Sequence, residues 1–93
     1  MEALVSIITP TFNSANYIAE TIASVQNQTY SNWEMIIVDD GSSDETENIV
    51  ASIIENDKRI QFYKLDQNSG PAVARNTAIE KAKGLFMTFI DAD

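Results

Sequence analysis

Hydrophobic positions along the chain follow two alternating periods. Four runs, Leu4–Ile8, Met35–Val38, Ile60–Leu65 and Leu85–Ile90, are four to six residues long and rich in β-branched or aromatic side chains, the pattern of short strands. Between the first two, Ala15, Ile18, Ile22 and Val25 recur at i, i+3, i+7 and i+10, which predicts a helix with one apolar face ending near Gln26 to Gln28. In the next interval Ile49, Val50, Ile53 and Ile54 make the apolar stripe of a second helix. Ser43 or Asp44 is its expected N-cap, and Asp44, Glu45 and Glu47 suit its positive end. A third helix is expected to open at Gly70-Pro71, with proline in its first turn, and to close at Lys81 and Lys83 with Gly84 as the C′ residue. Its inner face is alanine, from Ala72, Ala74, Ala78 and Ala82, so it is suited to lie close on a sheet.

The order βαβαβαβ predicts an α/β fold with a doubly wound, Rossmann-like, mainly parallel sheet, because strands separated by whole helices normally run parallel. Strands one, two and four are nearly continuous apolar runs and are expected to be covered on both faces. The third carries Gln61 and Lys64 and suits an edge. The fourth run stops three residues before the last residue. Its open flank predicts cover by a further segment or by self-association as a homo-oligomer, and residues 1–93 read as the N-terminal part of a larger domain.

Charge narrows the chemistry. The chain has 93 residues, 14 acids against six bases and a net charge of −8. Ten of those acids and no lysine or arginine fall in residues 1–57. Nucleic-acid binding is disfavoured, since phosphate neutralisation needs clustered cations. Any phosphate near the acidic half has to be held by backbone N–H groups, a helix N-terminus or a metal cation. Without cysteine there is neither a disulfide framework nor a thiolate metal site. No run of eighteen apolar residues and no charged-then-apolar leader is present, so a membrane span or secretory signal is not expected in these residues, and a cytoplasmic location is the default.

In an open parallel sheet, ligands bind beyond the carboxyl ends of the strands, at the point where strand order reverses. Four polar segments occupy those ends: Thr9-Pro10-Thr11-Phe12-Asn13, Asp39-Asp40-Gly41-Ser42-Ser43-Asp44, Asp66-Gln67-Asn68-Ser69-Gly70 and Asp91-Ala92-Asp93. The carboxylates of Asp91 and Asp93, two residues apart in extended chain, point to the same side. Their repulsion is relieved by a cation between them, and all-oxygen ligands suit Mg²⁺ or Mn²⁺. A solvated strand terminus is the plainer account of the triplet. Asp39 and Asp40 read as redundant for capping, because Ser43 and Asp44 serve the helix, which leaves them free for a base or a ribose hydroxyl. Pro10 reads as a strand terminator or as a pocket wall. Around the third helix start, Asn68, Gly70, Arg75 and Asn76 are further candidates; Arg75 is able to reach a phosphate bidentately or to pair with a neighbouring acid.

These motifs, together with Val5-Ser6-Ile7-Ile8, Tyr17-Ile18, Ser24 to Tyr30, Glu34 to Asp44, Asn68-Ser69-Gly70, Ala74-Arg75-Asn76 and Phe89 to Asp93, closely resemble the start of a family 2 glycosyltransferase with the GT-A fold, across essentially the whole chain. The resemblance implies transfer of a sugar from a nucleotide-diphosphate donor, UDP-sugar above all, to an acceptor hydroxyl with inversion, in polysaccharide or glycoconjugate synthesis. It implies a nucleotide site in which Pro10 with its neighbours Thr9, Thr11 and Asn13, and Asp40, line the base and ribose pocket, Asp39 supports that turn, and Asp91 contacts the ribose or metal side. Asp93, with Asp91, would ligate Mn²⁺ or Mg²⁺ at the diphosphate. The family's acceptor half, which takes a carbohydrate or lipid-linked acceptor, and its general base lie beyond Asp93, so no catalytic base is expected here, and weak or no turnover. Two other classes share single features. A haloacid-dehalogenase-like phosphatase also has an apolar strand ending in Asp-x-Asp, but as its first strand. A receiver-like signalling or nucleotide-sensing module needs an acidic pair after strand one, where this chain has Thr9-Pro10. Neither Gly-x-Gly-x-x-Gly nor a Walker-type Gly-Lys-Ser/Thr is present.

Overall fold

A computed structural model describes residues 3–91. The chain runs β1 (Val5–Thr11), α1 (Ile18–Gln26), β2 (Trp33–Asp39), α2 (Thr46–Ile54), β3 (Ile60–Lys64), α3 (Pro71–Lys81) and β4 (Phe86–Phe89). The sheet is four-stranded and parallel in the order β3-β2-β1-β4. The predicted βαβαβαβ order and the edge position of β3 hold. Alternation along the strands divides two cores. On one face Ile7, Trp33, Met35, Ile37 and Ile60 pack with Ile18, Ile22 and Val25 of α1 and Val50 of α2. On the other, Ile8, Ile36 and Val38 pack with Ala74 and Ala78 of α3.

Several boundaries differ from the sequence expectation. β1 does not stop at Pro10: it continues to Thr11, with Pro10 opposite Val38. α1 starts at Ile18, so Ala15 belongs to the preceding turn. α2 has Glu45 at its N-cap position without a side-chain cap bond. Asp44 instead accepts from Thr46 Oγ1 at 2.6 Å, Thr46 N–H at 3.0 Å and Ala15 N–H at 3.1 Å. The Thr46 hydroxyl foremost, with those N–H groups, holds the Asp44 carboxyl below its usual range. The inner face of α3 is Ala74 and Ala78, while Ala72 is exposed and Ala82 half-buried. Gly84 is not a left-handed C′ residue, because α3 ends in extended chain at Ala82. β4 is exposed along its whole length, contrary to the expectation of two covered faces. α3 packs on β1 and β2 and leaves Phe86, Met87 and Phe89 exposed at the edge. Among the described residues no helix is long and apolar enough to cross a membrane.

At the opposite edge, Asp57 anchors the turn from α2 into β3. Its carboxylate receives Arg59 Nη2 at 2.9 Å and Nε at 3.0 Å and Gln26 Nε2 at 3.1 Å, and the Arg59 guanidinium lies 3.9 Å over the Trp33 ring. The bonds from Arg59, the largest influence, lower the Asp57 pKa from 3.8 to about 2. A depressed carboxyl stabilises the fold above its unfolded value and ceases to do so as pH falls through the folded one. Asp57→Asn is therefore expected to cost on the order of 1 kcal/mol near neutral pH. Urea midpoints of variant and wild type should converge as the pH drops from 3.8 toward about 2.

Candidate functional site

Where the sheet parts. α1, which follows β1, and α3, which precedes β4, lie on opposite faces of the sheet. The boundary between β1 and β4 is thus the switch point, and its cause can be traced to one residue. The β1–β4 ladder runs from Val5 opposite Phe86 to Ile8 opposite Phe89, and its last rung among the described residues is Ile90 N–H to Ile8 O at 3.0 Å. The next rung would require an N–H from Pro10, which has none. β1 continues on its β2 side, where Asp40 N–H donates to Thr11 O at 2.8 Å. The sheet consequently parts between β1 and β4 at its carboxyl edge.

A cleft of about 290 Å³ occupies this opening, lined by Pro10, Thr11 and Phe12 after β1, Asp40 after β2, Asn68 before α3, Pro71, Ala74 and Arg75 on α3, and Asp91 after β4. All four strand ends thus contribute, as the convergence of polar segments on one rim predicts. Pro71, Ala74 and Arg75 follow i, i+3, i+4 and share one helix face. Small Ala74 lets that face approach the sheet.

The acidic pair at the end of β2 is structural, which corrects the reading of both residues as redundant for structure, and only Asp40 lines the cleft. Asp39 is fully buried; it accepts Ser42 N–H at 2.9 Å and the Ser42 hydroxyl. Asp40 is 4% exposed, and its two oxygens accept Ser69 N–H at 2.7 Å and Gly70 N–H at 3.0 Å. It thereby ties the end of β2 to the start of α3. A carboxylate offers about four lone-pair sites, so the group stays able to accept from a ligand while its orientation is set by the backbone. Gly41 makes the approach feasible: its φ is +82°, and a Cβ there would lie 3.0 Å from Asn68 N.

Not every candidate reaches the cleft. Thr9 is fully buried, and its Oγ1 has no hydrogen-bond partner among the described residues. Asn13, at φ +49°, joins two loops: its N–H donates to Ser42 Oγ at 2.8 Å and its Oδ1 accepts Ser43 N–H at 2.9 Å. Asp39 lies beneath the rim, Gly70 caps α3, and Asn76 is exposed outside the lining. Asp93 falls outside the described residues. Phe12, 43% exposed, and Pro71 are lining residues that the sequence reading did not assign. An aromatic residue within the polar segment that ends strand one was the available signal for Phe12.

Charge in the lining consists of the carboxylates of Asp40 and Asp91 against the guanidinium of Arg75. Among the described residues no group of three or more acids could by itself hold a metal. Mg²⁺ and ions like it typically take one or two carboxylates and complete their shell with water and substrate phosphates. The Asp91 carboxylate in the lining, two residues from Asp93, fits that donor chemistry.

A parallel α/β sheet with an acidic, partly apolar cleft at its switch point is of the doubly wound class, whose ligands bind at that place. The model of Glycosyl transferase family 2 matches residues 6–93, and the chain belongs to that family. It is 49% identical over 90 residues to a Bacillus subtilis glycosyltransferase ascribed to teichuronic acid biosynthesis, TuaG, covering 97% of this chain and 36% of the relative. The structure of S. aureus TarS in complex with UDP-GlcNAc superposes with a TM-score of 0.88 at 36% identity, covering 99% of this chain and 27% of that one. The Pyrobaculum calidifontis mannosyltransferase PcManGT in complex with GDP-Man and Mn²⁺ gives a TM-score of 0.91 at 30% identity, covering 100% and 28%. The chain thus spans about a third of the length of the curated relative. The GT-A expectation holds, and the phosphatase and receiver readings are set aside.

Asp40→Asn keeps the side-chain shape but weakens the acceptors of two backbone N–H groups. It is expected to cost about 1–3 kcal/mol of stability. Faster hydrogen exchange at Ser69 and Gly70, with the β1–β2 ladder still protected, would locate the loss.

Proposed function

We propose that residues 1–93 form the donor-binding half of a glycosyltransferase that moves a sugar from a nucleotide-diphosphate sugar, UDP-linked, to an acceptor hydroxyl with inversion, in polysaccharide or glycoconjugate assembly. One observation carries the reading. Asp40 and Asp91, fifty-one positions apart in sequence, line a single cleft with Arg75 at the switch point of the sheet. Family membership and relatives solved with UDP-GlcNAc and GDP-Man support it.

In this reading Pro10 and Phe12 give the nucleobase an apolar wall. Asp40, held by Ser69 and Gly70, accepts hydrogen bonds from the base or ribose, and Asn68 adds a second polar group. Arg75 is placed to take a phosphate oxygen. Asp91 and Asp93 would hold Mn²⁺ or Mg²⁺. Such a cation stabilises negative charge on the departing nucleoside diphosphate as a Lewis acid. The acceptor, carbohydrate or lipid-linked, and the base that deprotonates its hydroxyl belong to the remainder of the family's domain.

Calorimetric titration of UDP with and without Mn²⁺ tests the assignment. Mn²⁺ is expected to raise affinity by about tenfold or more, roughly 1.4 kcal/mol. Asp91→Ala and Asp93→Ala should remove that increment. Asp40→Ala should weaken binding with or without the metal. UDP binding indifferent to Mn²⁺ and to both aspartates would sink the reading.

A further inference from the structure

The strand that delivers Asp91 to the cleft is the least secured of the four. β4 has four residues, pairs among the described residues with β1 alone and has both faces exposed. Register is strongly specified where one face of a strand is buried and weakly otherwise. A slip of one residue would move Asp91 by about 3.3 Å and turn its side chain to the other face. Only Ile90, just after the strand, packs against the core, so facial packing within β4 itself does little to set the register.

At the amino end of the sheet, opposite the cleft, stands a buried carboxylate. Glu34 of β2 is 7% exposed and lies beside Ser6 of β1 in register. Its Oε2 accepts the Ser6 hydroxyl at 2.6 Å and Lys83 N–H at 2.6 Å, and its Oε1 accepts Gln61 Nε2 of β3 at 3.0 Å. Ser6 Oγ in turn accepts Gly84 N–H at 2.8 Å. Two consecutive N–H groups at the entrance to β4 are thus taken by one hydrogen-bonded pair spanning β1 and β2. The fit is close, since a Cβ on Gly84 would lie 2.5 Å from Ser6 Oγ and 2.8 Å from Leu4 O. Leu85 N–H then donates to Leu4 O at 2.9 Å and the ladder begins. A one-residue slip takes the Lys83 N–H from Glu34, leaving it the Ser6 and Gln61 donors, and the Gly84 N–H from Ser6, which disfavours that register. Burial raises the Glu34 pKa, but the bonds from Ser6, Lys83 and Gln61 outweigh it and leave it lowered, so the group is held as the anion this arrangement needs.

We propose that Glu34, acting with Ser6, is a positioning residue that sets the register of β4 on β1 and thereby places the Asp91 carboxylate in the donor cleft. The link to donor binding rests on the nucleotide-sugar reading given above; the link to register does not.

The test combines amide hydrogen exchange with UDP titration on the wild type, Glu34→Ala, Glu34→Gln and Ser6→Ala. In Glu34→Ala, exchange at Lys83, Gly84 and Ile90 should accelerate about tenfold or more. The β2–β3 bonds from Met35 N–H and Leu65 N–H should stay protected. The Mn²⁺-dependent increment in UDP affinity should disappear, while metal-free affinity is retained. Glu34→Gln keeps an acceptor for Lys83 N–H, and the Gln61 amide can turn to meet it, so this variant should recover most of both signals. Should Glu34→Ala fail to fold, Ser6→Ala, which removes the acceptor of Gly84 N–H, must still accelerate exchange at Gly84 and Ile90. Unchanged protection of β4, or UDP affinity lost equally with and without Mn²⁺, overturns the proposal. If wild-type UDP binding shows no Mn²⁺ dependence, the nucleotide reading has failed, and exchange alone decides the role of Glu34.

Discussion

The hydrogen bond that Pro10 cannot make shapes the working end of this molecule. Among the described residues the parallel ladder between β1 and β4 proceeds until it requires an N–H from position 10, and there it stops. Because β1 keeps its partner on the β2 side through Thr11, the sheet opens without unravelling. The opening coincides with the change of helix side, so α3 supplies one wall and the strand ends supply the floor. A cleft at this place follows from one missing donor in a central strand combined with helices on opposite faces.

Two carboxylates of similar burial hold the two ends of the sheet. Removing a carboxylate from water costs several kcal/mol unless donors compensate, and both are met by donors from distant segments. Glu34 takes Ser6, Gln61 and the Lys83 N–H at the amino edge. Asp40 takes the N–H groups of Ser69 and Gly70 at the carboxyl edge. In each case the acceptor is on β2 or just after it, and the donors include backbone N–H groups at an end of the α3 segment. β2, buried along its whole length, is the rigid bar to which both ends of the third crossover are attached.

The strand content, the parallel order and the edge position of β3 were legible because they depend on short-range period and on polar positions in a run. Residues with site chemistry were legible in part. Asp40, Asn68, Arg75 and Asp91 follow strands or open a helix, and the rule that ligands sit beyond strand ends selects them. Thr9 and Asp39 lie near strand ends and Asn13 follows one, yet the first two are buried within the sheet and Asn13 binds loop backbone. Strand parity and loop curvature separate the two groups, and neither can be read from position in a run. Of the two readings open for Pro10, terminator and pocket wall, the wall holds, and β1 runs one residue past it. Here its missing donor faces the one neighbour with which pairing stops, and that is a fact about strand order.

By itself the sequence determined the alternation of strands and helices, the acidic half without a cation, and the set of polar segments that any doubly wound sheet would bring to one rim. These are local properties, written in spacing and charge. Only the tertiary structure decided which side chains of each segment enter the cleft, that Asp39 and Asp40 also tether loops, that β4 is bare on both faces, and that Glu34 and Ser6 seat its first residues. Those outcomes depend on which strand lies beside which and on the direction each N–H points, and both are set when distant segments meet.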